Sequence, residues 1–181
     1  MVDGLDDARL AVVDSRTGCG GMGLVLLAAV ARAQADGNVE AVAQKARAAR
    51  EALGMWFAVE TLEYLRRGGR IGGAAALLGS ALKIKPILTF TEEITPLERV
   101  RTSARALDRL LGYLESHKAG GADAWVVQHV QAPEVAERIA ERGREIFGTD
   151  PIFLSEIGPV IGAHVGPGLI GVGALPRAML T

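Results

Sequence analysis

An arginine set among glycines is the first position where this sequence could bind a ligand. Residues 68–73 read GGRIGG, and small side chains typical of a tight helix follow. The backbone N–H groups at a helix start are unpaired and partly positive, and Arg70 adds a forked set of charged donors that suits a carboxylate or a phosphate. Gly72 and Gly73 let an anion approach the backbone closely. The motif predicts an anion site, with a helix–turn–helix corner and a solvated arginine as the alternative.

A histidine in a bent, apolar stretch is the second position. Residues 156–168 read EIGPVIGAHVGPG, in which His164 is the only titratable side chain after the first residue. A neutral imidazole donates to a carboxylate, or acts as an acid or base near neutral pH. Gly162 lies in the same stretch and leaves room beside the ring. The alternative is a structural histidine bonded to backbone. We expect His117, in a polar loop, and His129, at the end of a strand, to be structural or solvated.

Other site chemistry has weaker support in the sequence. Ser15 follows a predicted strand, and with His164 as its base it would form the nucleophile of a small serine hydrolase. Residues 18–23 match G-x-G-x-x-G, but a dinucleotide site needs a second strand ending in an acidic residue, and a helix follows instead, so a packing turn is favoured. Three dispersed histidines without matching carboxylates predict no metal site. We expect no cofactor and no catalysis by this chain.

Composition and charge exclude several classes of protein. The chain has 181 residues, a net charge of −1 and few aromatic residues, so it lacks the basic surface and stacking platforms of a nucleic-acid-binding protein. Fifteen of its 23 glycines fall in the windows 18–23, 68–79 and 158–173, which marks turns and close backbone approaches. Cys19 is the only cysteine, no signal peptide is visible, and no apolar run suits a membrane span. These features predict a cytoplasmic protein.

The first 54 residues are predicted to form a strand followed by two helices. The apolar run 10–13 indicates a buried strand. Residues 22–35 indicate a helix that Asp36-Gly37 would end, and it is so apolar all round that we expect it to be buried. Asn38 is a good N-cap for the next helix, which Gly54 would end.

Residues 55–181 are predicted to form an α+β unit with a mixed or antiparallel sheet. Apolar residues recur with helical spacing after Thr102, Pro133 suits the first turn of another helix, and a hairpin is predicted around 91–93. The predicted strands are 56–59, 85–90, 94–100, 124–130, 152–157 and 169–175. The predicted helices are a short one through Leu65 that Thr61 caps and Gly68-Gly69 ends, 72–82, one that begins at 102 or 103, and 133–147, with a Gly/Pro loop over 158–168. The chain as a whole is predicted to be α/β.

Three segments together resemble the DegV family. They are TLEYLRRGGRIGG at 61–73, LKIKPIL at 82–88 and EIGPVIGAHVGPG at 156–168, and VVDSR at 12–16 before a Gly-rich apolar helix fits as well. The resemblance covers nearly the whole chain. It implies a protein similar to the fatty-acid-binding subunits of bacterial fatty acid kinase, in which two α/β domains hold one long-chain fatty acid in a tunnel between them.

The resemblance also implies roles for individual residues. Arg70 matches the family's arginine beside the ligand head group, and His164 matches the histidine that helps to hold the carboxylate. Gly72, Gly73 and Gly162 would shape the channel around them. The implied protein is a carrier and not an enzyme, and a kinase partner phosphorylates the fatty acid carboxylate that it presents.

The sequence departs from the family in its length. Family members carry an N-terminal α/β domain whose hydroxyl residues grip the carboxylate, and this chain is expected to hold only a remnant of it in residues 1–54, followed by the C-terminal α+β domain in 55–181. The resemblance then implies half of a binding site, weak or oligomeric fatty acid binding, and an exposed apolar surface that favours self-association or a partner. A ligand-free interaction or structural fragment is the alternative.

Overall fold

The chain forms one mixed β-sheet with helices on both faces. The structure, a computed structural model, describes residues 10–79 and 84–181. The helices are α1 (Cys19–Asp36), α2 (Val39–Ala52), α3 (Glu63–Arg67), α4 (Ser103–Ala119), α5 (Pro133–Phe147) and α6 (Pro159–Val165), with 3₁₀ turns at Gly72–Leu77 and Arg177–Leu180. The strands are β1 (Gly54–Ala58), β2 (Lys85–Phe90), β3 (Ile94–Val100), β4 (Ala124–His129), β5 (Phe153–Glu156) and β6 (Ile170–Leu175).

The six strands lie in the order β3-β2-β1-β6-β4-β5. All neighbouring pairs are antiparallel except β4 and β5, which are parallel. Val172 of β6 pairs with Trp56 of β1 on one side and with Val127 of β4 on the other, so β6 lies inside the sheet. The predicted mixed sheet and the predicted β2–β3 hairpin are confirmed.

Successive residues of β4 point to opposite faces of the sheet, as the pleat of a strand requires. Trp125 and Val127 pack with α4 and α5, in a cluster that includes Leu110 and Ile139. Both helices therefore bury the apolar stripe that their spacing predicts.

The other face of the sheet is covered by α1 and α2. Ala124 and Val126 of β4 pack there with Leu24 and Val25 of α1 and Ala46 of α2. The short side chains of α2 let it lie close to α1 and the sheet. The helices of residues 19–52 and the sheet therefore share a hydrophobic core.

The predicted helix ends at Asn38, Thr102 and Gly37 are confirmed. The Ala41 N–H donates to Asn38 Oδ1 at 2.9 Å, and the Arg105 N–H donates to Thr102 Oγ1 at 3.2 Å. Gly37 ends α1 with a φ of 65°, a conformation that glycine adopts at little cost.

Two predictions about the start of the chain are wrong. Residues 10–13 form no strand, because they pair with no edge of the sheet and lie beside α1 and α2 instead. The helix predicted over 22–35 is α1, and it is not buried all round: Leu24 is inaccessible, whereas Met22, Leu26 and Val30 are 49%, 61% and 42% exposed. The sheet covers only one side of α1, and no described element packs on its other side.

Predictions about two other segments need correction, and a third is confirmed. The Gly/Pro loop over 158–168 contains α6, because Pro159 suits the first helical turn and Gly166, with a φ of 79°, ends it. The helix predicted over 72–82 is a 3₁₀ turn that ends at Leu77, and residues 80–83 lie outside the described residues. The short helix that Thr61 is predicted to cap, and that Gly68 and Gly69 are predicted to end, is α3: the Glu63 N–H bonds to Thr61 Oγ1 at 3.1 Å, and Gly68 follows its last residue.

Two glycines inside helices predict opposite effects on stability. A Cβ at Gly143 of α5 would overlap the ring of Trp125, which is fully buried, so Gly143→Ala is expected to lower the free energy of unfolding by about 2–3 kcal/mol. A Cβ at Gly112 of α4 would meet no atom within 4 Å, so Gly112→Ala is expected to raise that free energy by about 0.5–1 kcal/mol. Urea unfolding of both variants measures the two effects, and equal changes of the same sign would contradict the packing of α5 on Trp125.

Candidate functional site

The arginine predicted to bind an anion lies in a glycine turn after α3. The Gly68 N–H bonds to Tyr64 O and the Arg70 N–H bonds to Leu65 O, both at 2.9 Å, so the helix closes with a tight turn. Gly69 has a φ of 65°, the left-handed conformation that such a turn requires. The turn places the Arg70 side chain at the surface, where its guanidinium has one long hydrogen bond, to Gly68 O at 3.5 Å.

The histidine predicted to hold an anion lies in the last turn of α6. The Gly166 N–H bonds to Gly162 O at 2.8 Å and closes this helix after His164. A Cβ at Gly166 would overlap the ring of Tyr64, so the side chain of α3 occupies the space that a larger residue would need. The absence of a side chain at Gly166 therefore lets α6 pack directly on α3.

The structure brings the two predicted residues to the same place. A Cβ at Gly68 would overlap Nδ1 of His164, so the imidazole lies against the backbone of the turn that carries Arg70. Nδ1 is enclosed there and has no hydrogen-bond partner among the described residues. The enclosed nitrogen leaves Nε2 as the nitrogen that is open to a ligand. Sequence reasoning did not identify Gly68 as the residue against which the imidazole packs. The only signal for this contact was a glycine, whose missing side chain leaves room for a ring from a distant part of the chain.

The charges around this turn favour an anion at Arg70. Arg66 and Arg67 both donate to Glu63, at 2.7 Å and 2.6 Å for the shortest bonds. The hydrogen bonds from Arg66, and then those from Arg67, lower the pKa of Glu63 to about 2. Arg70 has no ion pair within residues 10–79 and 84–181, and Glu63 is already engaged by the other two guanidinium groups. Of these three arginines, Arg70 is therefore the one whose guanidinium is left to pair with an anion from outside the chain.

The Glu63 carboxyl is expected to titrate with a pKa near 2 and not near its ordinary value of 4.5. Since the folded-state pKa is lowered, its ionised form favours the folded state above about pH 4.5, and this contribution is lost as the pH falls toward 2. NMR titration of the side-chain carboxyl measures the pKa. Arg66→Ala is expected to raise it more than Arg67→Ala does, and a pKa that neither change moves would contradict the observed bonds.

The three glycines predicted to line the site have different surroundings. A Cβ at Gly72, whose φ is 49°, would lie 2.7 Å from Ile94 O, and one at Gly73 would lie 3.3 Å from a carboxylate oxygen of Glu93. Both glycines thus lie against the β2–β3 turn. Gly162 precedes His164 by half a turn and faces Val130, because a Cβ at Gly162 would lie 3.7 Å from Val130 Cγ1.

Apolar side chains lie directly under the Arg70–His164 turn. Leu65 of α3 and Val165 of α6 belong to one buried cluster, which also contains Phe57, Val59 and Leu169. A cation at the surface with an apolar cluster below it suits an amphipathic anion. An apolar cavity of about 560 Å³ lies elsewhere, between residues 11–15, α1 and α2.

The alternative roles suggested by the sequence find little support in the contacts. Ser15 Oγ donates to Thr17 O at 3.3 Å, and no described contact joins Ser15 to His164. The glycines of residues 18–23 serve packing instead of a phosphate: the Gly20 N–H donates to Gln128 Oε1, and Gly23 lies against the ring of Phe153.

The other histidines have structural roles, as predicted. His129 is buried and its Nδ1 accepts from the Ala132 N–H at 3.2 Å. His117 was expected in a polar loop but lies in the last turn of α4, with Nε2 3.1 Å from Ala52 O. In the described part of the chain, no group of three or more His, Cys, Asp or Glu side chains is arranged to hold a metal ion, and no helix has the length and apolar character needed to cross a membrane.

Comparison with known proteins identifies the family to which this chain is similar. The family model described as uncharacterised protein, DegV family, matches residues 1–177. A DegV domain-containing protein of Streptomyces coelicolor is 44% identical over 164 residues, which are 89% of this chain and 58% of that protein. One from Clostridium acetobutylicum is 39% identical over 175 residues, 95% of this chain and 61% of that protein.

Solved structures show the same fold. DegV of Bacillus subtilis, described as a fatty acid binding protein, has a TM-score of 0.79 at 30% identity and covers 90% of this chain, which covers 59% of it. A fatty-acid-binding DegV family protein of Thermus thermophilus has the same TM-score and identity, with 94% of this chain and 62% of that one covered. This chain spans about three fifths of the length of these relatives. By its family match, its curated relatives and its fold, the chain belongs to the DegV family.

Proposed function

We propose that this chain binds a long-chain fatty acid and holds its carboxylate between Arg70 and His164. The main support for the proposal is the packing of His164 against Gly68. This contact puts the imidazole beside the guanidinium of Arg70, which has no ion pair among the described residues. The relatives described as fatty-acid-binding proteins support the same class of ligand.

The chemistry of the two side chains suits a carboxylate. A guanidinium presents two parallel N–H donors to the two oxygens of a carboxylate, and the imidazole adds a third donor when Nε2 carries the proton. The buried cluster around Leu65 and Val165 offers an apolar surface for the start of the acyl chain. Gly72, Gly73 and Gly162 would set the shape of the walls near the head group.

The proposal extends to partners and to the organisation of the chain. The chain acts as a carrier without catalysis of its own, and a fatty acid kinase subunit uses the carboxylate that it presents. Residues 1–54 act as the remnant of an N-terminal domain and 55–181 as the C-terminal domain, in the cytoplasm. Because the chain spans only three fifths of its relatives, we propose that part of the binding site lies outside it and that a second copy of the chain takes part in association.

Titration with palmitic acid, methyl palmitate and palmityl alcohol tests the proposed head-group contacts. All three ligands have the same apolar chain, but only the acid carries a charge at neutral pH. The acid is expected to bind saturably and at least about 10-fold more tightly than the ester or the alcohol, because only a carboxylate makes charge-assisted hydrogen bonds with Arg70. Tryptophan fluorescence or calorimetry, at ligand concentrations below self-aggregation, measures the affinities. Equal affinities for the acid and the ester would overturn the proposal.

A further inference from the structure

We infer that Tyr64 of α3 is a positioning residue: its ring fixes α6 against α3 and so holds the His164 imidazole beside the turn that carries Arg70. The ring meets Gly166, just after α6, because a Cβ on that glycine would overlap the Cγ, Cδ2 and Cε2 atoms of Tyr64. Gly166 is buried and the tyrosine side chain is half-buried. The inference rests on the proposed fatty acid site and adds to it a residue that acts through His164.

The contacts between the two helices are reciprocal. Tyr64 of α3 packs on Gly166 after α6, and His164 of α6 packs on Gly68 after α3. Tyr64 and Gly68 are one helical turn apart, with the Gly68 N–H bonded to Tyr64 O at 2.9 Å, so both lie on the same side of α3. Each ring therefore occupies space that the other segment leaves free by having a glycine, and removing the Tyr64 ring loosens the contact that holds His164.

Both helices are too short to hold their positions without such contacts. α3 has five residues and α6 has seven, and helices of this length are unstable by themselves in water. Leu65 and Val165 attach them to one buried cluster. The Tyr64–Gly166 contact adds a second point at the end of α6, and two points of contact restrict the rotation of that helix. The direction of the imidazole depends on that rotation, and a binding group is effective only when its supporting contacts fix it.

Titration with palmitic acid tests the effect on the proposed site. Tyr64→Leu keeps an apolar side chain but removes the ring, and it is expected to weaken binding about 3–10-fold, the loss expected for His164→Ala. Tyr64→Phe keeps the ring that meets Gly166 and is expected to recover the affinity. Tyr113→Leu is the matched control, since Tyr113 is also a half-buried tyrosine on a helix but stacks on Trp56 instead.

A double-mutant cycle separates positioning from a general loss of structure. In the His164→Ala background, Tyr64→Leu is expected to change the affinity less than about 2-fold, because no imidazole is left to position. An equal loss in both backgrounds would overturn the inference, and so would a loss in Tyr113→Leu as large as in Tyr64→Leu. Circular dichroism must show that all variants are folded.

The imidazole resonances of His164 give a second readout that needs no ligand. NMR spectra distinguish the three histidines of the chain once His164→Ala has assigned one of them. Tyr64→Leu is expected to shift the His164 ring resonances toward those of a solvated imidazole, whereas Tyr64→Phe and Tyr113→Leu should not. Unmoved resonances in Tyr64→Leu would overturn the inference. If they move but the chain does not bind palmitic acid, the proposed function fails and the positioning of the imidazole by Tyr64 stands, so the two failures are distinguishable.

Discussion

Replacing Trp125 with alanine is expected to lower the free energy of unfolding by about 3–5 kcal/mol. Trp125 lies in β4 and is fully buried between the sheet and α5. Its ring stacks on Phe147 with 5.4 Å between centroids, and its Nε1–H donates to Thr149 O at 3.2 Å. Alanine leaves a cavity against Gly143, where no side chain can fill the space, and an unpaired carbonyl at Thr149. Chemical unfolding followed by circular dichroism measures the loss.

Trp56→Ala is the control that shows how much stability is lost when a half-buried tryptophan side chain is removed. Trp56 is only half-buried, and it contacts Tyr113 and His117 at the edge of the same core. Its replacement is expected to cost less than that of Trp125 because less apolar area returns to water. Both variants must be compared at one protein concentration, since self-association adds to apparent stability. Equal losses for Trp56→Ala and Trp125→Ala would show that α5 does not pack on β4 as described.

Replacing Arg70 with alanine is expected to weaken palmitic acid binding by about 10–100-fold. Hydrogen bonds to a charged group contribute about 1.5–3 kcal/mol, and each 1.4 kcal/mol is a factor of ten in affinity. His164→Ala removes one donor and is expected to have a smaller effect, about 3–10-fold. Arg70→Lys should recover part of the affinity, because an ammonium keeps the charge but not the forked geometry. Titration of the purified chain under the same conditions measures each change.

Arg67→Ala separates a specific contact from the general positive charge of the turn. Arg67 is the last residue of α3, just before the turn that carries Arg70; its side chain is 72% exposed and pairs with Glu63. Its removal is expected to change the affinity less than about 2-fold, because exposed ion pairs contribute little. An equal loss in Arg67→Ala and Arg70→Ala would mean that the turn attracts the ligand only by its net charge.

Gly68→Ala tests whether the packing of the His164 imidazole against Gly68 matters for fatty acid binding. Its Cβ would overlap Nδ1 of His164, so the ring must move away from Arg70, and the affinity is expected to fall about as far as in His164→Ala. A Cβ at Gly158 would meet nothing within 4 Å, so Gly158→Ala is the control at the other end of α6. An unchanged affinity in Gly68→Ala would separate His164 from the proposed site.

The sequence by itself determined most of the local elements and the family of the chain. Apolar residues at helical spacing predicted α4 and α5, and Asn38 and Thr102 predicted the caps of α2 and α4, because such contacts involve residues three or four positions apart. The glycine motifs around Arg70 and His164 identified the family, which the comparisons confirmed. The roles of these two side chains remain predictions.

Only the tertiary structure decided which distant residues meet. Gly68 and His164 are 96 positions apart, and their contact depends on α6, which the sequence predicted as an irregular loop because glycines and prolines are frequent in loops. The exposure of α1 could not be predicted from the sequence either. The apolar residues of a helix show how much of its surface can be buried, but the elements that pack on it determine how much is buried. Residues 10–13 form no strand for the same reason, since a strand needs a partner that local sequence cannot supply.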